Sequence, residues 1–197
     1  MLTLGHILEA LTGQEVKALA QPISQVVIDS RQATAGALFV ALPGEKADGH
    51  AFVGDAFSRG AIAALVMRLP EGVTCTSLDL RDKGAHLEPE EQVTLPVCLI
   101  VADPLAALQQ AAAFWRARFN PRVIGITGSV GKTTTKELVA EVLAQRYRTL
   151  KSEASHNNEI GLPLTLLRLT PADQRVVVEM GMYTRGEIGR ASCRERV

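Results

Sequence analysis

The chain has 197 residues, 47% of them hydrophobic, enough to bury a core as one large domain or two small ones. Lys plus Arg and Asp plus Glu number 21 each, so no net field draws the chain to nucleic acid or to an anionic membrane, and its partners must be recognised locally. Cys75, Cys98 and Cys193 are odd in number, widely spaced and without a CxxC pairing, which suits a reducing cytosol better than a disulfide framework or a zinc site.

At the start, Leu2, Leu4, Ile7 and Leu8 are interrupted by Gly5, His6 and Glu9, so neither a signal peptide's apolar stretch nor a membrane span is read there, and a cytoplasmic location is expected. Over residues 1–80 the short apolar runs Val26-Val27-Ile28, Leu38-Phe39-Val40-Ala41-Leu42 and Ile62-Ala63-Ala64-Leu65-Val66 alternate with turn residues, and a helix is expected near 51–59. This is the pattern of a small α/β unit. Residues 81–95 are charged and almost free of large apolar side chains, which reads as a solvated surface loop before a strand over 97–101.

Leu105, Leu108, Ala112, Trp115 and Phe119 recur at three- and four-residue spacing, the signature of an amphipathic helix with Trp115 in its core face. After Asn120-Pro121, the run Val123-Ile124-Gly125-Ile126 reads as a buried strand that leads directly into a glycine-containing loop. Two rows, Leu138 with Val142 and Val139 with Leu143 and Tyr147, mark the expected buried face of the next helix. Val176-Val177-Val178 marks another buried strand. Strand, loop, helix, connection and strand in this order predict the beginning of a parallel sheet. The fold class expected is therefore α/β, with a small amino-terminal unit over 1–102 and the start of a P-loop parallel-sheet domain over 103–197.

Thr127-Gly128-Ser129-Val130-Gly131-Lys132-Thr133-Thr134 sits between that strand and that helix, the context a phosphate-binding loop requires. Gly128 and Gly131 let the backbone approach a phosphate closely, so that successive N–H groups and the helix N-terminus face the anion. Lys132 brings a positive charge to the β- and γ-phosphates of ATP, and the Thr133 hydroxyl is suited to Mg²⁺. The full GxxxxGK[ST] pattern would need glycine where Ile126 stands, so the shorter TGxxGKT form is present. Glu179 follows the Val176-Val177-Val178 strand and is expected at its carboxyl end, where open α/β sheets gather ligands and where it could hold magnesium or simply serve a turn.

These stretches carry a resemblance. Residues 126–138, then Asn157-Asn158-Glu159-Ile160-Gly161-Leu162-Pro163-Leu164, then Glu179-Met180-Gly181-Met182 and on to Gly186-Glu187-Ile188, resemble the MurF branch of the ATP-dependent Mur ligases. Asp29-Ser30-Arg31, the 36–44 stretch and Asp48-Gly49-His50 are similar to the UDP-sugar-binding domain shared by the MurE and MurF branches. MurE enzymes usually carry Ser-Ser-His after the corresponding glutamate. Here Met180-Gly181-Met182 follows, which favours the MurF branch. Folylpolyglutamate synthetase shares the nucleotide logic but lacks an amino-terminal domain of this type.

The resemblance implies that Gly128, Ser129, Val130, Gly131, Lys132, Thr133, Thr134, Asn157 and Asn158 surround ATP, with Lys132 catalytic and Thr133 and Glu179 at the metal. It implies that Ser30 and Arg31 contact UDP-N-acetylmuramoyl-tripeptide, although from the residues alone Asp-Ser after an apolar strand is a turn or helix cap and His50 a neutral structural histidine. Asn157 and Asn158 also read as caps for a helix that Pro163 helps to start.

The implied reaction is attack of the tripeptide carboxylate on the γ-phosphate of ATP, giving an acyl phosphate that D-alanyl-D-alanine displaces. The expected partners are these substrates, with no nucleic acid, no membrane and a monomeric enzyme. The 190–197 tail does not continue the family pattern. The chain is expected to be an amino-terminal fragment, inactive as a ligase by itself. A MurE-type amino-acid ligase, a P-loop kinase or switch, and a non-catalytic module that binds a UDP-sugar or ATP remain alternatives.

Overall fold

The computed structural model describes residues 1–16, 19–44, 47–82, 93–153 and 157–181. Most of the expected surface loop (83–92), the end of the resemblance at 182–188 and the 190–197 tail with Cys193 lie outside them.

Thr3 opens the first helix, α1 (Leu4–Thr12), with a reciprocal cap: its hydroxyl accepts from His6 N–H while the His6 ring accepts from Thr3 N–H. Gly13 closes it in the left-handed region at φ 76°. Leu4, Ile7 and Leu8 are buried, and α1 packs along α3 (Pro104–Ala117), where the His6 and Trp115 rings lie 5.1 Å apart. Asp103 starts α3 by accepting from the N–H groups of Leu105 and Ala106, and Pro104 supplies a φ already set for a first helical turn.

Between these helices and α2 (Val53–Ser58) runs a five-stranded, all-parallel sheet: β1 (Val26–Val27), β2 (Leu38–Val40), β3 (Ala63–Val66), β5 (Val97–Ile100) and β4 (Thr76–Asp79), in that spatial order. Every residue of β2, β3 and β5 is buried, because strands covered on both faces lose the alternation of a half-exposed strand. Phe39, Ala64, Val66, Cys98 and Ile100 form one face of this core with Val53 and Ala56 of α2.

The second sheet has the order β6-β8-β7, again parallel: β6 (Arg122–Ile126), β8 (Arg175–Glu179) and β7 (Thr149–Lys151). Helix α4 (Lys132–Ala144) packs over all three strands. Central β8 is buried through Val176, Val177 and Val178, whereas β6 is only half-buried, since among the described residues it is an edge strand. Of the two apolar rows expected to bury α4, only Val139, Leu143 and Tyr147 turn inward, beside Lys136 and Ala140. Leu138 and Val142 are 58% and 71% exposed, because the face toward the sheet is centred on Ala140.

Two compact units result, the first comprising Met1–Arg118 with Leu166–Arg168 and the second opening at Phe119. The division thus falls after α3 and not at residue 102: α3 spends its apolar face on α1, β2 and β3 of the first unit. Phe39 is the largest side chain in that unit's fully buried set. Phe39→Ala should therefore lower stability to urea by roughly 3–5 kcal/mol. A loss under 1 kcal/mol would show that β2 is not the centre of the core.

Candidate functional site at the carboxyl ends of the second sheet

The strand β6 delivers the chain into the loop 127–131, and the loop returns as α4. Gly128 has φ 143° and Gly131 φ 81°, conformations that L side chains rarely adopt, and no neighbouring atom crowds Gly131. Backbone shape is thus what demands glycine at both positions. The first helical bond at this end runs from Thr135 N–H to Gly131 C=O, so α-helix geometry leaves the N–H groups of Lys132, Thr133 and Thr134 outside the intrahelical ladder. They form an anion-receptive helix start, to which the macrodipole adds. Lys132 folds back over the loop, its Nζ donating to Gly128 C=O at 2.8 Å. Ser129, Val130 and Thr134 are exposed along the same rim.

The parallel register pairs Ile126 with Glu179, so β6 and β8 end together and Glu179 meets the start of α4. Glu179 is 2% exposed, and its carboxylate accepts from Thr133 Oγ1 at 2.9 Å and from Asn157 Nδ2 at 2.9 Å. Its own N–H donates to Ser152 Oγ at 3.0 Å. The structure therefore brings Thr133, Asn157 and Glu179 together. Asn158 is separated from them in role: its Oδ1 accepts from Ile160 and Gly161 N–H and caps α5 (Gly161–Leu166). Ser152, which carries the Glu179 N–H, had no signal in the sequence beyond following a strand.

An alkoxyl donor next to a carboxylate is an oxygen set suited to a hard cation, and Mg²⁺ bound with nucleotides takes few protein ligands. No group of three or more His, Cys, Asp or Glu that could hold a metal occurs among the described residues.

In the first unit, Asp29 caps a 3-10 turn (Ser30–Gln32) and grips Arg31 bidentately, with Nε to Oδ1 at 2.9 Å and Nη2 to Oδ2 at 2.7 Å. This fork and the Arg31 N–H hold the Asp29 carboxyl below its ordinary value. The Arg31 side chain is nevertheless 80% exposed. Ser30 is buried, and its hydroxyl bonds Asp55, which together with Arg59 keeps that carboxyl low. Of the expected pair, Arg31 is presented to solvent and Ser30 is engaged internally.

Asp48 repeats the device at a second 3-10 turn (Gly49–Phe52). Its Oδ1 accepts from the N–H of His50 and lies 2.6 Å from His50 Nδ1, while Oδ2 receives Arg68 at 2.5 Å. His50 Nε2 accepts from Met67 N–H, so its proton sits on Nδ1 and the buried ring is neutral.

Residues 22–116 match the catalytic domain of the Mur ligase family and residues 126–194 match the Mur ligase middle domain. The chain belongs to the Mur ligase family. It is 43% identical over 166 residues to a UDP-N-acetylmuramoyl-tripeptide–D-alanyl-D-alanine ligase of Synechocystis sp., a match covering 84% of this chain and 32% of the relative. It is 38% identical over 187 residues to the ligase of that name from Escherichia coli, covering 95% and 36%. Among solved structures, MurF from Acinetobacter baumannii superposes with a TM-score of 0.70 at 33% identity, covering 95% of this chain and 37% of that one. MurF ligase from Thermotoga maritima in complex with ADP gives 0.63 at 26% identity, covering 88% and 35%. The chain thus spans about a third of the length of the relatives it matches, and it is a MurF homologue.

The backbone and side-chain bonds from His50, followed by Arg68, depress the Asp48 carboxyl far below its ordinary value. A depressed folded value means that the stabilisation is complete above the unfolded value, near 4, and is lost as pH falls toward the folded one. Asp48→Asn should therefore cost stability at pH 7, and its deficit relative to the parent should shrink steadily as pH falls below about 4 in thermal unfolding. Parallel curves across that range would remove Asp48 from the acid response.

Proposed function

We propose that this chain carries the ATP-binding start and the UDP-sugar-binding unit of a MurF-type ligase, which joins D-alanyl-D-alanine to UDP-N-acetylmuramoyl-tripeptide in peptidoglycan precursor synthesis. The observation that carries the reading is the strand-loop-helix turn in which Gly128 and Gly131 take positive φ, Lys132 spans the loop and Thr133 rests on the buried Glu179. The names of the relatives support the substrates, and the ADP in the Thermotoga maritima structure supports the nucleotide.

On this reading the helix-start N–H groups receive phosphate oxygens, and Lys132 moves from the Gly128 carbonyl to the β- and γ-phosphates. Thr133 and Glu179 would hold Mg²⁺, whose bound charge lowers the repulsion between the triphosphate and the attacking carboxylate. Asn157 fixes the carboxylate plane of Glu179. No general base is needed for the first step, since a carboxylate is already nucleophilic. Phosphoryl transfer then depends on positioning and charge neutralisation. In the first unit, Arg31 would grip an anionic group of the UDP-muramoyl peptide, a role for which its planar fork is suited.

Two measurements test this. ATP with Mg²⁺ at about a hundred times its Kd should stabilise this chain by roughly 2.7 kcal/mol, and Lys132→Ala should remove most of that protection without changing stability in the absence of ligand. An unfolding curve that ATP-Mg²⁺ leaves unmoved would reject the nucleotide site. Arg31→Ala should weaken binding of UDP-N-acetylmuramoyl-tripeptide roughly tenfold or more while leaving ATP binding as it was, by the worth of a charge-assisted hydrogen bond. Equal effects on both ligands would separate Arg31 from the sugar-nucleotide site.

A further inference from the structure

Cys75 and Cys98 stand 23 positions apart in sequence, yet their sulfur atoms lie 3.2 Å from each other, both reduced. The register explains the meeting. Ser77 of β4 is opposite Cys98 of β5, so Cys75, two residues earlier, points to the same sheet face as Cys98. Cys98 is fully buried within the core cluster, whereas Cys75 packs against that cluster and remains half-exposed. Cys75 also precedes the ladder, whose first bond runs from Thr76 N–H to Pro96 C=O, so its backbone is outside the regular pairing.

We propose that Cys75 and Cys98 form a thiol–disulfide exchange site that low-molecular-weight disulfides convert to an intramolecular disulfide. Exposure assigns the order. The Cys75 thiolate attacks one sulfur of the small disulfide, giving a mixed disulfide on Cys75 and releasing one small thiolate. Cys98 then loses its proton to solvent, and its thiolate attacks the Cys75 sulfur, expelling the second small thiolate. The protein pair is oxidised by two electrons, the small disulfide is reduced to two thiols, and the two protein protons end on those thiols. Burial pushes the Cys98 thiol above its ordinary value, which makes the second step the slower one at neutral pH. The closed bond would tie β4 to β5, its sole strand neighbour among the described residues. The site is independent of the ligase reading and lies within the first unit.

The test uses the whole chain with Cys193→Ser, which leaves Cys75 and Cys98 as its two thiols. After incubation of the folded, reduced protein with oxidised glutathione, the intact mass should fall by two hydrogens with no adduct. Peptide mapping should link the segments holding Cys75 and Cys98, and dithiothreitol should reverse the change. Closure should accelerate about tenfold per pH unit while the thiols are mostly protonated. Adding Cys98→Ser should halt the reaction with one glutathione on Cys75, and adding Cys75→Ser should prevent uptake altogether. A stable glutathione adduct on the parent, disulfide-linked dimers in place of the internal bond, or no reaction under conditions that oxidise the urea-unfolded chain would each overturn the proposal.

Discussion

The second unit depends on one buried carboxylate. Glu179 sits at the end of the central strand, 2% exposed, where an ionised group is costly unless fully hydrogen-bonded. Thr133 and Asn157 meet its two oxygens, and Ser152 takes its backbone N–H. Each partner comes from a different segment: the first turn of α4, the connection before α5, and the residue after β7. Satisfying this carboxylate and its residue's backbone N–H therefore fixes three pieces of chain at the sheet's carboxyl end. The same residues recur in the main-chain bonding, since Asn157 C=O accepts from Gly181 N–H and Ser152 N–H donates to Val177 C=O. Leaving such a buried group without one of its hydrogen-bond donors typically costs about 1–3 kcal/mol, so the geometry is held more tightly than an exposed ion pair could hold it.

The first unit achieves order at its strand and turn ends by a repeated local device. Asp29, Asp48, Asp79 and Asp103 each accept the N–H of the residue two positions on. Asp29 and Asp79 additionally grip the arginine at that position, Arg31 and Arg81. Because the strands are all parallel, Asp29, Asp79 and Asp103 all lie at the carboxyl ends of their strands, the end at which open α/β sheets collect ligands, spread from one outer strand, β1, to the other, β4. The aspartates are structural, and one consequence is that Arg31 is held with its guanidinium in solvent. Among the described residues no helix is long and apolar enough to cross a membrane.

Much of the loop before α4 was legible because its determinants are local. Gly128, Gly131, Lys132 and Thr133 are contiguous, and their spacing encodes a turn, a helix start and a charge without reference to distant chain. Glu179 was legible as the end of an apolar strand, but its bonding to Thr133, 46 positions away, was not. Ser152 left no trace, since a serine after a short strand has no distinguishing pattern. The opposed outcomes for Asn157 and Asn158 have the same origin: adjacent identical residues differ only in what the fold places beside them.

Periodicity, turn chemistry and motif spacing by themselves determined the α/β class, the strands β2, β3, β5, β6 and β8, the α3 helix with Trp115 buried, and the loop that precedes α4. These are properties that a few neighbouring residues define through backbone preference and amphipathic pattern. Tertiary structure decided which of two apolar rows on α4 faces the sheet, that α3 belongs with α1 in the first unit, and that Cys75 meets Cys98. Those outcomes follow from the register and packing of segments far apart in sequence, and a linear pattern contains no information on which distant surface will arrive to bury it.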